Sequence, residues 1–432
     1  MKRNLGLIII LITLFTVTLF ADNKAPDNII ILITDGMSLS NKTITRIFTV
    51  GPYGRMNMDK MDITGYMTNH SSNSWISDSA ANSSAISMGV KTDNNRVSVL
   101  PNGKIKTNFF EKISLINKKT GIVTNGPVTS PALAPYYSHT EHFRNESIIA
   151  EDIFRKNINL IFGGGEKAFL PQAENGIRTD GKNFIEESQR LGYRFLASAK
   201  AFRDFNYSEK ILGLFGRDFL PYELDRSDED VSLYEMTKKA INILNSGKEG
   251  FVLLIENFNI NRALDALDVK AAVAEIDMTD KITGMILDFI KENPETLFLM
   301  ISGYDTGGLV VTDSLNTHVY TPLKTSTNAL GKRITATGAN IDQIMAVYAG
   351  INLNDFERQT IQSGLNTDFF DRRIGFIMAS KAGILTLPPS SSNLRSGTVT
   401  PIWAHGKHSE FFNGFNDNTE VGDLIIRILG VK

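Results

Sequence analysis

Short runs of almost unbroken apolar, largely β-branched residues alternate along the chain with segments whose apolar positions recur every three to four residues. The runs at 29–34 (IIILIT), 122–124 with its neighbours, 158–162, 251–255 and 297–302 lack the polar alternation of a half-wetted strand. They therefore predict strands buried on both faces of a mostly parallel sheet. Helical spacing predicts helices over 80–88, 146–154, 233–245 and 269–291, the last with a long amphipathic pattern. This succession is that of an α/β protein, a doubly wound, mostly parallel central sheet with helices on both faces. No long Pro/Gly/Ser linker and no internal repeat interrupts it, so one domain is expected over 27–432. The stretch 316–340, rich in Thr, Asn and Gly, is expected to be an inserted loop or small subdomain over the sheet.

The first 21 residues follow another logic. Lys2 and Arg3 precede an uncharged stretch at 5–20, closed by Ala21 and a polar segment. That is the layout of a signal peptide, at a length that would also serve as an uncleaved anchor. The expectation is an exported protein, periplasmic or extracytoplasmic, touching a membrane only if this segment is retained. Lys plus Arg total 45 against 47 Asp plus Glu, a net charge of -2, which gives no electrostatic reason to expect a nucleic-acid partner. Cysteine is absent, which excludes disulfides, thiolate metal sites, a Cys nucleophile and a lipidated cysteine tether. Imidazole chemistry is left to six residues, His70, His139, His142, His318, His405 and His408.

In an open parallel sheet, ligands gather beyond the carboxyl ends of the strands. Polar residues stand there repeatedly. Asp35 follows IIILIT and precedes Gly36, Glu256 closes FVLLIE, and Gly303, Tyr304 and Asp305 follow LFLMIS. A carboxylate at the end of a buried strand is costly unless it is paired, hydrogen-bonded or metal-bound, so each marks a candidate site or, more plainly, a helix cap. The segment 78–85 (DSAANSSA) begins a helix of small residues. A hydroxyl at such an N-terminus lies in a positive backbone potential suited to an anion, although Asp78 or Ser79 would equally serve as an ordinary N-cap.

Together these segments resemble the alkaline phosphatases. The family pattern is matched by TDGM at 34–37, DSA at 78–80, GVKT at 89–92, GIVT at 121–124, FRNES at 143–147 and GGG at 163–165. It continues through LGLF at 212–215, PYELDR at 221–226, EMTKKAI at 235–241, TGGL at 306–309 and DNTEVG at 417–422. They run in family order over nearly the whole chain after residue 26. The resemblance implies two zinc ions and one magnesium, a metal-activated serine that attacks a phosphate monoester, and a phosphoserine that water then hydrolyses. It places the nucleophile at Ser79, the phosphate-holding arginine at Arg144, the carboxylate shared between zinc and magnesium at Asp35, and the magnesium glutamate at Glu256. It also implies a homodimer.

The match departs from the family at the zinc ligands. The pattern EGxxIDxAGH stands here as ENFNINRALD at 256–265, so the zinc aspartate is replaced by Asn261 and the zinc histidine by Asp265. ADHETGG stands as SGYDTGG at 302–308, which puts Gly303 and Tyr304 at the aspartate and histidine of the other zinc. Counting back from WAHG at 403–406, the remaining zinc histidine falls at or near Arg395. No histidine of the chain coincides with a ligand position. A gapless match puts Ala132 at the magnesium threonine, while aligning SPA at 130–132 to the family's TPA would keep Ser130 as the hydroxyl ligand. The gapless version is preferred.

Asp265 and Asp305 remain as candidate oxygen ligands, so magnesium stays open where zinc becomes doubtful. Arg144, Arg262 and Arg395 are candidates for a shared phosphate-binding pocket, with a phosphorylated small molecule or phosphate as partner. Three functions follow. The first is an exported alkaline-phosphatase-type scaffold whose zinc-dependent activity is lost or strongly reduced. The second is a divergent active metal-dependent phosphatase. The third is a periplasmic or surface interaction protein that uses the scaffold alone.

Overall fold

The computed structural model describes residues 24–337, 340–365, 367 and 369–431. The expected signal segment lies outside the described residues. Among the described residues, fourteen strands follow in chain order. The first seven are β1 (Asn28–Ile33), β2 (Ile63–Thr68), β3 (Lys119–Pro127), β4 (Leu160–Gly164), β5 (Arg194–Leu196), β6 (Ile211–Leu214) and β7 (Phe251–Glu256). The others are β8 (Thr296–Ile301), β9 (Asp305–Thr306), β10 (Val310–Val311), β11 (Ile384–Leu385), β12 (Arg395–Ser396), β13 (Thr400–Gly406) and β14 (Gly414–Asp417).

Ten of them form one sheet in the order β14-β2-β13-β8-β1-β7-β3-β4-β6-β5. Within it β13 alone runs antiparallel to both of its neighbours, β2 and β8. The expected doubly wound, mostly parallel sheet is therefore present, and all six residues of β1, β7 and β8 are buried, as their unbroken apolar sequences require. Alternation along β1 splits the core in two. Ile30 and Leu32 join one apolar cluster, and Ile29, Ile31 and Ile33 join the other on the opposite face. At about 1.5–3 kcal/mol for each fully buried aliphatic side chain, this central strand is a main source of the fold's stability.

Register aligns the ends of the central strands. Ile33 is level with Glu256 on one side and Ile301 on the other. Pairing continues past the strand ends, because the Asn257 amide donates to the Ile33 carbonyl at 3.0 Å and the Gly36 amide to the Tyr304 carbonyl at 3.1 Å. Asp35, Glu256 and the 302–305 loop are thereby brought to one edge.

The inserted region is larger than 316–340. Between β10 and β11 the chain forms a 3-10 turn at Thr317–Tyr320 and helices at Thr327–Thr337, Ile341–Ile344, Asp355–Gln362 and Phe370–Lys381. Leu330, Ile334, Ile361, Phe370, Ile374 and Met378 enter the same apolar cluster as Ile30 and Leu32. Of the downstream helices, Ile341–Ile344 and Asp355–Gln362 are short and carry few apolar positions among Asp, Glu, Arg and Gln, too few for a periodic signal, whereas Phe370–Lys381 has a regular apolar pattern that lies beyond 340.

Candidate active site

The helix Ser79–Met88 starts at the edge where the strand ends converge, and all ten of its residues are buried. Its small side chains make that burial sterically feasible. Asp78 caps it, with Oδ1 accepting from the Ala81 amide at 2.8 Å and Oδ2 from the Asn95 amide at 2.6 Å. Ser79 is thus fixed in the first turn, 7 % exposed. Its hydroxyl lies 2.6 Å from the Tyr304 phenol oxygen.

Tyr304 is fully buried, and the Arg395 guanidinium carbon sits 4.6 Å from its ring centroid, a cation–π contact. That position follows from pairing, since β12 sets Arg395 opposite Thr306 of β9, two residues beyond Tyr304. Burial holds the Tyr304 hydroxyl well above the ordinary phenol range, so it stays protonated at neutral pH. Tyr304, Asp78 and Asp35 in turn hold Arg395 firmly charged.

Asp35 is 5 % exposed. Its Oδ1 accepts from the Gly303 amide at 2.9 Å, whereas Oδ2 is buried without a hydrogen-bond partner. Burial raises its pKa, opposed by the Ser79 hydroxyl, the Gly303 amide and the Arg395 charge. Gly303 is needed sterically, because a Cβ there would lie 2.8 Å from both Asn82 Nδ2 and Asp35 Oδ1. Glu256 is also buried. Its Oε2 accepts from the Thr124 hydroxyl at 2.7 Å, and both oxygens lie within 2.9 Å of the Ser130 hydroxyl. Burial pushes its pKa up to about 8, and the nearby Asp35 adds to the rise. Ser130, rather than position 132, therefore supplies the hydroxyl beside Glu256; the Ala132 side chain is buried in an apolar cluster.

The other candidate residues are engaged by other partners. Asp265 differs from the expectation of a metal ligand: its Oδ2 is 2.8 Å from Arg372 Nη2, and Arg372 Nε also donates to the Asp265 carbonyl at 2.7 Å. The almost buried Arg372 draws the carboxylate away, and its partner lies 107 residues on, beyond the reach of any motif. Asp305 accepts from Ser396 Oγ at 2.7 Å and Asn41 Nδ2 at 3.4 Å. Neutral hydroxyl and amide groups hold it in place of a cation. Each of the three candidate arginines lies against aromatic rings. Arg395 lies on Tyr304, Arg262 between Phe219 at 3.7 Å and Tyr222 at 4.0 Å, and the exposed Arg144 5.8 Å from the Phe143 ring. Asn261, at the zinc aspartate's position, accepts from the Thr306 hydroxyl at 2.8 Å.

None of the six histidines contacts Asp35, Ser79 or Glu256 among the described residues. His139 Nδ1 faces the Ser98 carbonyl at 2.7 Å, His142 accepts from the Arg144 amide, His405 sits beside Asp62, and His408 faces the Lys24 carbonyl. Among the described residues no three His, Cys, Asp or Glu side chains are grouped as a metal site.

A serine at a helix start and two buried carboxylates thus stand at the carboxyl ends of a central, mostly parallel α/β sheet. A model of the alkaline phosphatase family matches residues 26–431, and the chain belongs to that family. It is 29% identical over 385 residues to alkaline phosphatase 4 of Bacillus subtilis, covering 85% of this chain and 80% of that protein. It is 28% identical over 428 residues to alkaline phosphatase 3 of the same organism, covering 93% and 88%. Among solved structures, the Thermus thermophilus alkaline phosphatase superposes with a TM-score of 0.85 at 22% identity, over 95% of this chain and 92% of that one; at that identity the likeness is one of fold. A variant of the TAB5 alkaline phosphatase, TM-score 0.71 at 22% identity over 95% of this chain and 99% of that one, has magnesium bound in its M3 site.

The residues present do not fit the zinc pair that the family resemblance implies. The positions are taken by an amide tied to Thr306, a carboxylate tied to Arg372, a glycine, a buried protonated phenol and a guanidinium. A guanidinium cannot donate a lone pair and repels a divalent ion. For magnesium the donor class differs. Asp35 Oδ2, buried and unpartnered, and Glu256 with Ser130 offer hard oxygens of the kind that ion takes. Those three residues would hold it, and the ion would supply positive charge to balance the two carboxylates.

Proposed function

We propose that this protein retains the alkaline phosphatase scaffold while its zinc-dependent phosphomonoester hydrolysis is lost or strongly reduced. The observation that carries this reading is the 2.6 Å contact of Ser79 with Tyr304, backed by Arg395 on the ring. A serine becomes a good nucleophile when a base or a metal withdraws its proton. Tyr304 is buried and protonated, so it is no base at neutral pH, and the guanidinium beside it offers no coordination site. What the arrangement retains is a helix start, a fixed cation and a hydroxyl pair, features compatible with holding a phosphate or a phosphorylated small molecule without turning it over. Export to the periplasm or cell surface, supported by the basic and apolar pattern of the first 21 residues, and homodimerisation, implied by the family, belong to the same proposal.

The unpartnered Asp35 oxygen beside Glu256 favours a second reading, a divergent enzyme dependent on magnesium. One experiment separates the two. The purified protein and its Ser79→Ala variant are assayed on p-nitrophenyl phosphate with zinc, magnesium or manganese. The expected result is no turnover above the variant in any metal; metal-dependent turnover that Ser79→Ala abolishes would overturn the first reading and establish the second.

A further inference from the structure

A second basic site lies on the flank of the helix Phe258–Asp265. That helix turns Asn261 toward Thr306 and Gly36, while the next residue, Arg262, faces a cleft of about 580 Å³ between the loop 219–226 and the inserted segment 324–333. We propose that this cleft binds a small polyanion carrying two or more phosphate groups, separately from the Ser79 site.

Charge carries the argument first. Arg226, Arg262, Lys324, Lys332 and Arg333 line the cleft together with one carboxylate, Asp225. Arg226 is neutralised by Glu223, its Nε and Nη2 lying within 3.1 Å of that carboxylate. With Arg333 set aside, since it stacks on Tyr348, Arg262, Lys324 and Lys332 face Asp225 across the cleft, and Asp371 stands behind the lining residue Asn328. Among the described residues neither Lys324 nor Lys332 has a salt bridge, and both are exposed at the rim. Like charges gathered around a concave surface raise the local concentration of a polyanion and are relieved by its binding.

Both walls are also held in place before any ligand arrives. Arg262 is sandwiched between Phe219 and Tyr222, and its Nη1 donates to Asn259 Oδ1 at 3.0 Å. Asn259 Nδ2 donates to the Leu220 and Pro221 carbonyls at 3.3 and 3.1 Å, which fastens the loop to the helix. Asp225 fastens the same loop to the insertion, accepting from the Thr325 hydroxyl at 2.7 Å and the Ser326 amide at 2.8 Å. A planar guanidinium fixed in this way still presents N–H groups in the fork that matches a phosphate edge. The two lysines, 8 residues apart on the insertion, supply mobile point charges for a second phosphate. The cleft lies within the size range of small-molecule sites, and Phe219 and Tyr222 give it apolar surface on which an organic portion could rest.

The test is isothermal titration of the full protein with pyrophosphate, ATP and orthophosphate at low and moderate salt. Pyrophosphate and ATP are expected to bind, more tightly than orthophosphate, and to weaken as salt rises. Lys324→Glu with Lys332→Glu should lower that affinity by at least about tenfold, the scale of one lost charge-assisted contact. The milder pair Lys324→Gln with Lys332→Gln should give a smaller loss in the same direction, which guards against a folding artefact of charge reversal. In an Arg395→Ala background, which weakens any binding at the Ser79 site, the lysine substitutions should lower the pyrophosphate affinity by the same factor. The proposal is overturned by no pyrophosphate binding at millimolar ligand in the Arg395→Ala background, by orthophosphate binding as tightly as pyrophosphate in that background, or by lysine substitutions that leave the pyrophosphate affinity unchanged there, which would place the anion at Ser79.

Discussion

Asp268 joins the long helix to the insertion, and replacing it with Asn gives a measurable consequence of that joint. The residue is 1 % exposed. Its Oδ1 caps Val269–Glu292 by accepting from the Ala271 amide at 3.0 Å, while Oδ2 accepts from the Thr327 amide at 2.6 Å and the Thr327 hydroxyl at 3.0 Å. Burial nonetheless raises its pKa from 3.8 to about 6, the three bonds opposing the rise and Asp225 adding to it. Because the folded pKa lies above the unfolded one, this group's stabilising contribution is full below about pH 4 and is lost as pH rises to about 6. A shift of roughly two units at about 1.4 kcal/mol each amounts to about 3 kcal/mol. Asp268→Asn removes the titration. It also turns an amide donor toward Thr327, leaving that residue's amide and hydroxyl without an acceptor. Urea unfolding of the wild type and Asp268→Asn at pH 4, 5, 6 and 7 reads the effect. The variant's deficit is expected to be larger at pH 4 than at pH 7 by about 2 kcal/mol, with most of the change between pH 4 and 6. A deficit that stays constant or widens with pH would refute the reasoning, since it would mean that the hydrogen bonds outweigh desolvation and hold the carboxyl at or below its ordinary pKa.

Two further outcomes concern the serine site. Gly303→Ala places a methyl 2.8 Å from Asn82 Nδ2 and Asp35 Oδ1, so urea unfolding should show a loss of about 1–3 kcal/mol from overpacking; an unchanged midpoint would mean that Asn82 swings aside freely. Tyr304→Phe deletes the partner of the Ser79 hydroxyl and should cost about 1–2 kcal/mol with no gain in p-nitrophenyl phosphate turnover, because Arg395 remains. Turnover appearing in that variant would show Tyr304 to be a plug over an otherwise competent site.

The strands that carry the site were legible because they are buried on both faces. IIILIT and FVLLIE have no polar alternation to confuse them with a wetted edge, and Asp35 and Glu256 are the first charged residues met at their ends. Other features were not legible, for particular reasons. Asp265 reads as a ligand candidate on its own helix, and only the folded chain brings Arg372 against it. Arg395 could be placed by counting from a motif, yet its seat over Tyr304 depends on the two-residue ribbon of β9 and β12, too short to leave a periodic signal. The lysines of the cleft belong to a segment without family landmarks, and only the fold sets them across from Arg262. Thr124 belongs to the GIVT motif, although its role as a donor to Glu256 needs the parallel register of β3 and β7.

Electrostatics links the altered ligand positions to the proposed loss of chemistry. A divalent metal concentrates its charge on an atom that can bond a serine oxygen and lower its pKa, whereas a guanidinium spreads a single charge over a plane and bonds only through its hydrogens. Arg395 therefore balances part of the charge of Asp35 and Asp78, both of which are raised by burial and lowered by that arginine, without supplying the Lewis acidity that would ionise Ser79. With Asp35 raised, Glu256 pushed up to about 8 and Tyr304 protonated, the cluster approaches neutrality through its own protons. A site able to reach charge balance in this way can fold around Ser79 without a metal, and that makes retention of the scaffold compatible with loss of the zinc ligands.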